Sequence, residues 1–273
     1  MVNYGSGKMN KGFTLVIPLY NKAHCVRQTL DSVLNNHGEY PFKCLIIDDD
    51  STDGSSEIGE EYDTKYPDVF QYIKIKHHGN KTPVHARNLG IKLTDTEYIG
   101  FLDADDELCG GFIDRGCNFL DEHPEYSLYG NGYLQHIEHN DKLYYCFYNA
   151  DNITTFDDFV INGAFYVHWC ANIYKTELAK KNMFIDTFGE DSFFKLKYIF
   201  NNEPIYIDNS TCESIIWNGI YSNSSEWNFA RTNKNYIEEI FDSLKQNIKD
   251  FNYDIEIQNN ELFLIKKQKI KKL

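Results

Sequence analysis

A chain of 273 residues, 42% hydrophobic and 25% charged, is long enough to bury a substantial core and has an ordinary globular composition. Its net charge of −14 argues against general nucleic-acid binding, which needs a basic surface. No apolar run approaches the ~20 residues that span a bilayer, residues 1–10 lack the apolar segment of a signal peptide, and seven cysteines without metal-type pairing fit reduced thiols in the cytoplasm.

Residues 1–12 read as a flexible N-terminus. Phe13 to Ile17 is a β-branched, apolar run that reads as a buried strand stopped at Pro18. Val26, Leu30, Val33 and Leu34 follow at helical spacing, with Asn21 as the expected cap. Cys44 to Ile47 is a second buried strand, ending in Asp48, Asp49 and Asp50. Ser51 to Ser56 is a turn cluster that opens a polar helix reaching Tyr66. Val69 to Ile75 alternates as a third strand, and Ala86 to Leu93 is helical. Ile99 to Leu102 is a fourth buried strand, ending in Asp103, Asp105 and Asp106, and a helix is expected from near Gly111. Apolar strands alternating with helices imply an α/β fold with a doubly wound, mostly parallel, Rossmann-like sheet. Ligands of such sheets lie at the carboxyl ends of the strands. The first, second and fourth strands end in unusual polar residues, which sends those residues to one crevice.

Beyond Leu128 the pattern changes. Tyr129 to Tyr148 reads as strands and hairpins, Phe156 to Ile161 as a short helix, Asp191 to Phe200 as another and Ile205 to Ile207 as a strand. Tyr236 to Ile248 has helical spacing within an expected helical C-terminal extension over residues 211–273. Five lysines between Lys266 and Lys272 form a basic tail, suited either to an anionic membrane face or to plain solvation. Tyr166, His168 and Trp169 could stack on an acceptor sugar, although core packing accounts for them as well. Cys25, Cys44, Cys117 and Cys170 read as small core fillers.

Three carboxylates at the end of a buried strand repel one another and lose hydration, and a cation among them relieves both costs. Oxygen-only ligands suit Mg²⁺ or Mn²⁺. The plainer reading is an acidic turn that caps the next helix. Asp48 to Gly54 has two readings of the same kind. Its Asp and Ser residues can cap a helix, or a carboxylate there can accept the N–H of a nucleobase.

Leu15-Val-Ile-Pro-Leu-Tyr-Asn-Lys22, Ile47-Asp-Asp-Asp-Ser-Thr-Asp-Gly54, Ala86-Arg-Asn-Leu-Gly90 and Phe101-Leu-Asp-Ala-Asp-Asp106 occur in the order and spacing of one family. Over residues 13–125 the chain resembles the inverting GT-A glycosyltransferases of family 2, and Gly189-Glu-Asp-Ser-Phe-Phe194 extends the resemblance to residue 210. The resemblance implies a GT-A catalytic domain over residues 13–210. Its nucleotide-sugar half would be 13–125 and its acceptor half 126–210, followed by the acceptor-side extension. Pro18 and Tyr20 would bracket the nucleotide base, and Asp49 would accept the uracil N3–H. Asp50 stands where the family usually has Gly. Arg87 would meet the diphosphate or pin the acidic loop, since its fork suits phosphate and carboxylate equally. Asp105 would bind the cation, Mn²⁺ or Mg²⁺, while Asp103 would contact ribose or reach the metal through water. Asp106 is expected to cap the next segment. Asp191 would be the base that takes the acceptor proton; the plainer reading is a carboxylate favoured at a helix start.

The departures also inform. The Gln-x-x-Arg-Trp motif of processive synthases is absent, and no histidine follows His168. His77 and His78 make a poor metal pair and read as part of a solvated loop. The expectation is a cytoplasmic, metal-dependent, inverting glycosyltransferase. Its donor would be a nucleotide-sugar, by the resemblance a UDP-sugar. Its acceptor would be a glycan or lipid-linked saccharide of bacterial surface polysaccharide synthesis, with peripheral contact at the inner membrane face and no nucleic acid as partner. Two alternatives stay open: a sugar-1-phosphate nucleotidyltransferase, and a non-catalytic sugar-nucleotide or glycan-binding module. Pro18 to Asn21 stands where the former class carries a Gly-rich loop, and intact Asp103, Asp105 and Asp191 argue against the latter.

Overall fold

A computed structural model describes residues 9–36, 38–77, 82–137, 142–146, 152–161, 170, 172–187, 189–218, 242, 245–246, 253–258 and 261–266. The first eight residues, His78, the segment holding Tyr166, His168 and Trp169, most of the expected helix over Tyr236–Ile248 and the lysines beyond Lys266 lie outside them.

The N-terminal half alternates as expected. Strand β1 (Asn10–Leu19), helix α1 (Val26–Leu34), β2 (Phe42–Asp48), α2 (Ser55–Lys65), β3 (Phe70–Lys74), α3 (Val84–Leu93) and β4 (Thr96–Phe101) follow in order. These four strands pair in the order β3-β2-β1-β4, all parallel. Phe13, Leu15, Val16, Ile17 and Leu19 are all fully buried, because a central parallel strand is covered on both faces and so needs an unbroken apolar run. Helix α3 lies directly on β1: a Cβ at Gly90 would strike Val16, so only glycine permits that approach. The same helix buries Arg87.

Next come β5 (Glu107–Leu108), α4 (Phe112–Glu122), β6 (Leu128–Ile137), β7 (Lys142–Cys146), β8 (Asn152–Ile153), α5 (Phe156–Ile161), β9 (Asn172–Lys175), α6 (Thr176–Lys181), α7 (Glu190–Asn202) and β10 (Tyr206–Asn218). They extend the sheet as β4-β9-β6-β10-β5, with β7 on β6 and β8 on β10. Strand β9 runs antiparallel to both neighbours, and β10 runs parallel to β6. Helix α7 is clamped onto β4 by aromatic side chains. Phe184 stacks on Phe194 at 4.0 Å, and Phe101 meets the edges of both. Each such pair contributes about 0.5–1.5 kcal/mol beyond its burial. This cluster sets the start of α7 beside the end of β4.

Four expectations need correction. Pro18 does not stop the first strand; it pairs with Ile47 inside β1. Val16 O accepts from Leu102 N on the β4 side, so Pro18, two residues on, faces the same side beyond the last β4 pair, and its missing N–H costs no ladder bond. Asn21 does not cap α1, whose N-cap is Cys25 without a side-chain hydrogen bond. Asp106 does not cap α4, which begins after Gly111 in a left-handed conformation. The helical extension is also revised: β10 runs on to Asn218, and β11 (Tyr253–Gln258) pairs antiparallel with β12 (Glu261–Lys266). Ile255 and Ile257 alternate with Glu256 and Gln258, a period of two that suits a strand. Among the described residues no helix is long and apolar enough to cross a membrane.

Candidate active site

Because β1 to β4 are parallel, their carboxyl ends share one edge of the sheet, and three sets of contacts tie the following loops together. Asn21 N–H donates to Ser51 Oγ at 3.0 Å, and its Oδ1 accepts from Thr52 N–H at 2.9 Å. Lys22 N–H donates to Ser55 Oγ at 2.8 Å, and Ala23 N–H to Asp53 Oδ2 at 3.0 Å. The polar residues after β2 therefore hold the loop after β1, beyond opening α2. Asn21 (φ 51°) and Asp50 (φ 65°) are the non-glycine residues at positive φ among those described. Asn and Asp tolerate this region best, and such outliers gather at functional sites. Asp50 keeps the left-handed turn that a glycine would make at its position.

The three aspartates after β2 divide sharply. Asp48 is fully buried and accepts from Ser51 N–H, Ser56 Oγ and the Tyr72 hydroxyl. Burial works against its charge, yet these donors hold its carboxyl below the ordinary value. Asp49 turns the other way. Its Oδ2 lies 2.9 Å from His77 Nδ1, and its Oδ1 is buried with no hydrogen-bond partner among the described residues. Tyr20, half exposed at the end of β1, stacks on the His77 ring at 5.0 Å and 9°. Pro18, two residues earlier in the chain, is buried. Tyr20, Asp49 and His77 thus form one unit, and His77 is a partner of the predicted base reader instead of a solvated loop residue.

The loop after β4 also separates its aspartates. Asp103 Oδ1 accepts from Arg87 at 2.8 Å, and the other terminal nitrogen of Arg87 donates to Glu190 Oε1 at 2.9 Å. With its side chain 4% exposed and both nitrogens on carboxylates, Arg87 is placed to pin the acidic loop, the second of its two expected roles. Asp105 Oδ2 lies 2.6 Å from Lys22 Nζ. Asp106 is buried, with its N–H on Asp103 O and its Oδ2 3.5 Å from the Cys170 thiol. Cys170 Sγ in turn accepts Asp103 N–H at 3.4 Å, so this cysteine does more than fill the core.

Two sets of groups here could hold a cation. Asp103, Asp106 and Cys170 offer ligand atoms within 4.8 Å of one another. Asp106 and Cys170 are closed off from solvent, however, and burial pushes the Cys170 thiol well up, which keeps it protonated and a poor ligand. Asp103 and Asp105 are all-oxygen donors about a quarter exposed, and one already carries an ammonium as counter-charge. That chemistry fits a hard divalent ion.

Asp191 is half-buried in the first turn of α7, behind the left-handed Gly189, and its Oδ1 accepts Ser192 N–H at 2.6 Å. Arg87, Tyr174 and Lys195 all interact electrostatically with it. Burial lowers Lys195 to about 8, while Asp191 acts in the opposite sense. Burial pushes the Glu190 carboxyl up, Arg87 pulls it back and the Asp191 charge raises it again, for a net rise.

The fold therefore brings Asp103 and the start of α7 to one guanidinium, Asp105 to Lys22, and Tyr20 to Asp49 through His77. Lys22, His77, Cys170 and Lys195 contact or interact with the expected site residues without a place among them in the sequence reading. For Lys22 the signal was present, since it closes the first motif; the other three carry no local mark.

The family model described as Glycosyl transferase family 2 matches residues 14–181, more than half of the chain. The chain is 35% identical over 115 residues to Minor teichoic acid biosynthesis protein GgaB of Bacillus subtilis (strain 168), covering 42% of this chain and 12% of that protein. It is 34% identical over 110 residues to Poly(ribitol-phosphate) beta-glucosyltransferase of Bacillus spizizenii, covering 40% of this chain and 17% of that protein. The matched stretches are thus a small fraction of these relatives. Among solved structures, S. aureus TarS 1-349 in complex with UDP-GlcNAc aligns with a TM-score of 0.64 at 19% identity, covering 81% of this chain and 64% of that one. Mannosyltransferase PcManGT from Pyrobaculum calidifontis, in complex with GDP-Man and Mn²⁺, aligns at 0.65 and 15% identity, covering 88% and 66%. At these identities the similarity is one of fold.

Proposed function

The chain belongs to glycosyl transferase family 2, and on that premise we propose that it transfers a sugar from a UDP-sugar to a hydroxyl of a bacterial surface polymer, with inversion. The observation that carries this reading is Arg87, whose two nitrogens join Asp103 at the donor side to Glu190 beside the proposed base.

The choice of UDP rests on Asp49. With Oδ2 engaged by His77, the carboxylate has one buried acceptor, Oδ1, left to satisfy. Uracil presents a single N–H to a carboxylate, whereas guanine presents two side by side and needs both oxygens. A carboxylate can only accept, so His77 holds Asp49 by its Nδ1–H. Tyr20 supplies the ring on which the pyrimidine packs.

Asp191 takes the proton from the acceptor hydroxyl, whose oxygen bonds to the anomeric carbon on the face opposite the diphosphate. The bond from that carbon to the diphosphate oxygen breaks, and its electron pair leaves with UDP. Arg87 and Lys195 place basic groups within electrostatic reach of Asp191. Asp105 and Asp103 would hold a divalent cation, which neutralises charge on the departing diphosphate. The names of the relatives, a teichoic acid biosynthesis protein and a poly(ribitol-phosphate) glucosyltransferase, support a polyol or glycan polymer as acceptor.

Thermal denaturation with UDP or GDP, each with and without Mn²⁺, tests the donor: UDP with Mn²⁺ should raise Tm and GDP should not. Asp191→Asn should keep the UDP shift while UDP release from a UDP-sugar falls by about 10²–10⁴-fold. Near-normal turnover in that variant would place the base elsewhere.

A further inference from the structure

We propose that Lys22 is a built-in counter-ion of the acidic loop, and that it makes binding of a divalent cation depend on the nucleoside diphosphate. The proposal rests on the metal-assisted transfer described above and assigns a coupling role to a residue outside the proposed metal, base and nucleobase sets.

Lys22 starts from a fixed point. Its backbone N–H is held by Ser55 Oγ, and Asn21 before it is held by Ser51 and Thr52. From there its ammonium reaches across to Asp105 Oδ2 at 2.6 Å, and each side chain is 24% exposed. A lysine is a cation at neutral pH, and the 2.6 Å contact sets that charge directly against the Asp105 carboxylate. The ammonium therefore sits on the carboxylate best suited to the divalent ion, and within the field of the second.

Two cations on one carboxylate repel each other, so an ion arriving at Asp105 has to displace Lys22. A displaced, half-buried ammonium needs another anion, or its desolvation goes uncompensated. A nucleoside diphosphate supplies one, because a compact ammonium with three donors binds phosphate well. Without nucleotide, Lys22 neutralises the loop and disfavours the metal. With nucleotide, Lys22 moves to phosphate and Asp105 is released. Reciprocity then requires the metal to tighten nucleotide binding by the same factor.

The test is Mn²⁺ binding to the full chain, followed by electron paramagnetic resonance of free Mn²⁺, with and without UDP. In the wild type, UDP should tighten Mn²⁺ binding about tenfold, within the usual range of coupling between sites. Lys22→Met should bind Mn²⁺ about fivefold more tightly than the wild type without UDP, the scale of one partly exposed ion pair, and should lose most of the gain from UDP. Lys22→Gln gives the same reading should the methionine variant fold poorly. Lys22→Arg, which keeps the charge, should retain the coupling, a rescue that a merely structural role would not discriminate by charge. The proposal is overturned if Lys22→Met and Lys22→Gln match the wild type both in Mn²⁺ affinity without UDP and in the gain from UDP. Failure of the wild type to bind Mn²⁺ even with UDP would overturn the metal-assisted reading itself.

Discussion

The ends of β2 and β4 carry the same sequence device, a buried apolar strand followed by three aspartates, and the protein uses the two differently. At β2 hydroxyls and an N–H hold Asp48, an imidazole holds Asp49, and Asp50 has a 3.5 Å contact with Lys74 at the surface. At β4 the partners are permanent cations, with Arg87 on Asp103 and Lys22 on Asp105. Each triplet keeps one aspartate as a buried strut, Asp48 in the first and Asp106 in the second. The contacts on Asp49 leave one buried oxygen, whose complement is an N–H. Cationic partners leave a site whose charges can be exchanged, which suits an ion and a diphosphate.

Variants can break or sharpen this contrast. The largest effect on stability is expected from Arg87→Met, which strands Asp103 and Glu190 without their shared cation. It should cost about 3–5 kcal/mol in urea unfolding, and a loss below about 1 kcal/mol would mean that the guanidinium is not what holds the β4 loop to α7. Asp48→Asn should cost about 1–3 kcal/mol, because a buried amide cannot accept from all three donors. The sign of its pH dependence follows from its depressed folded value. The unfolded chain takes up the proton first as pH falls, so the stabilisation is complete above the ordinary carboxylate range and fades as pH drops through the folded value. Stability curves from pH 6 downward should therefore be flatter in Asp48→Asn than in the wild type; matching slopes would contradict the strut role. Asp105→Ala touches a partly exposed pair and should shift stability by no more than about 1 kcal/mol. Yet it should remove the Mn²⁺ dependence of the UDP thermal shift, and a persisting metal response would move the cation to other ligands. The smallest effect belongs to Asp50→Gly. Relief of the left-handed backbone and loss of the 3.5 Å contact with Lys74 nearly offset each other, so the change should stay within about 0.5 kcal/mol by chemical denaturation.

The four-stranded parallel half, β1 to β4, was legible because its physics is local. Parallel strands covered on both faces write themselves as runs such as Leu15–Ile17 and Cys44–Ile47, and β1 to β4 with their helices appear where those runs predict them. Beyond Leu128 the pattern weakens. Strand β9 is four residues long and exists because β4 and β6 offer it edges on both sides. The alternation over β11 and β12 is short, and a longer run of helical spacing precedes it in the sequence. Asn21 had the composition of a helix cap and became a tie between two loops, since Ser51 and Thr52, thirty residues on, bind it.

From residue order alone came the parallel sheet, the edge on which its polar strand ends meet, and the set of carboxylates gathered there, because burial, strand direction and charge repulsion are properties of short segments. Which aspartate became a strut, which took His77 and which took Lys22 or Arg87 was settled only by folding. Those partners come from other strands and helices, and what distinguishes one carboxylate from its neighbour is the environment that distant segments build around it.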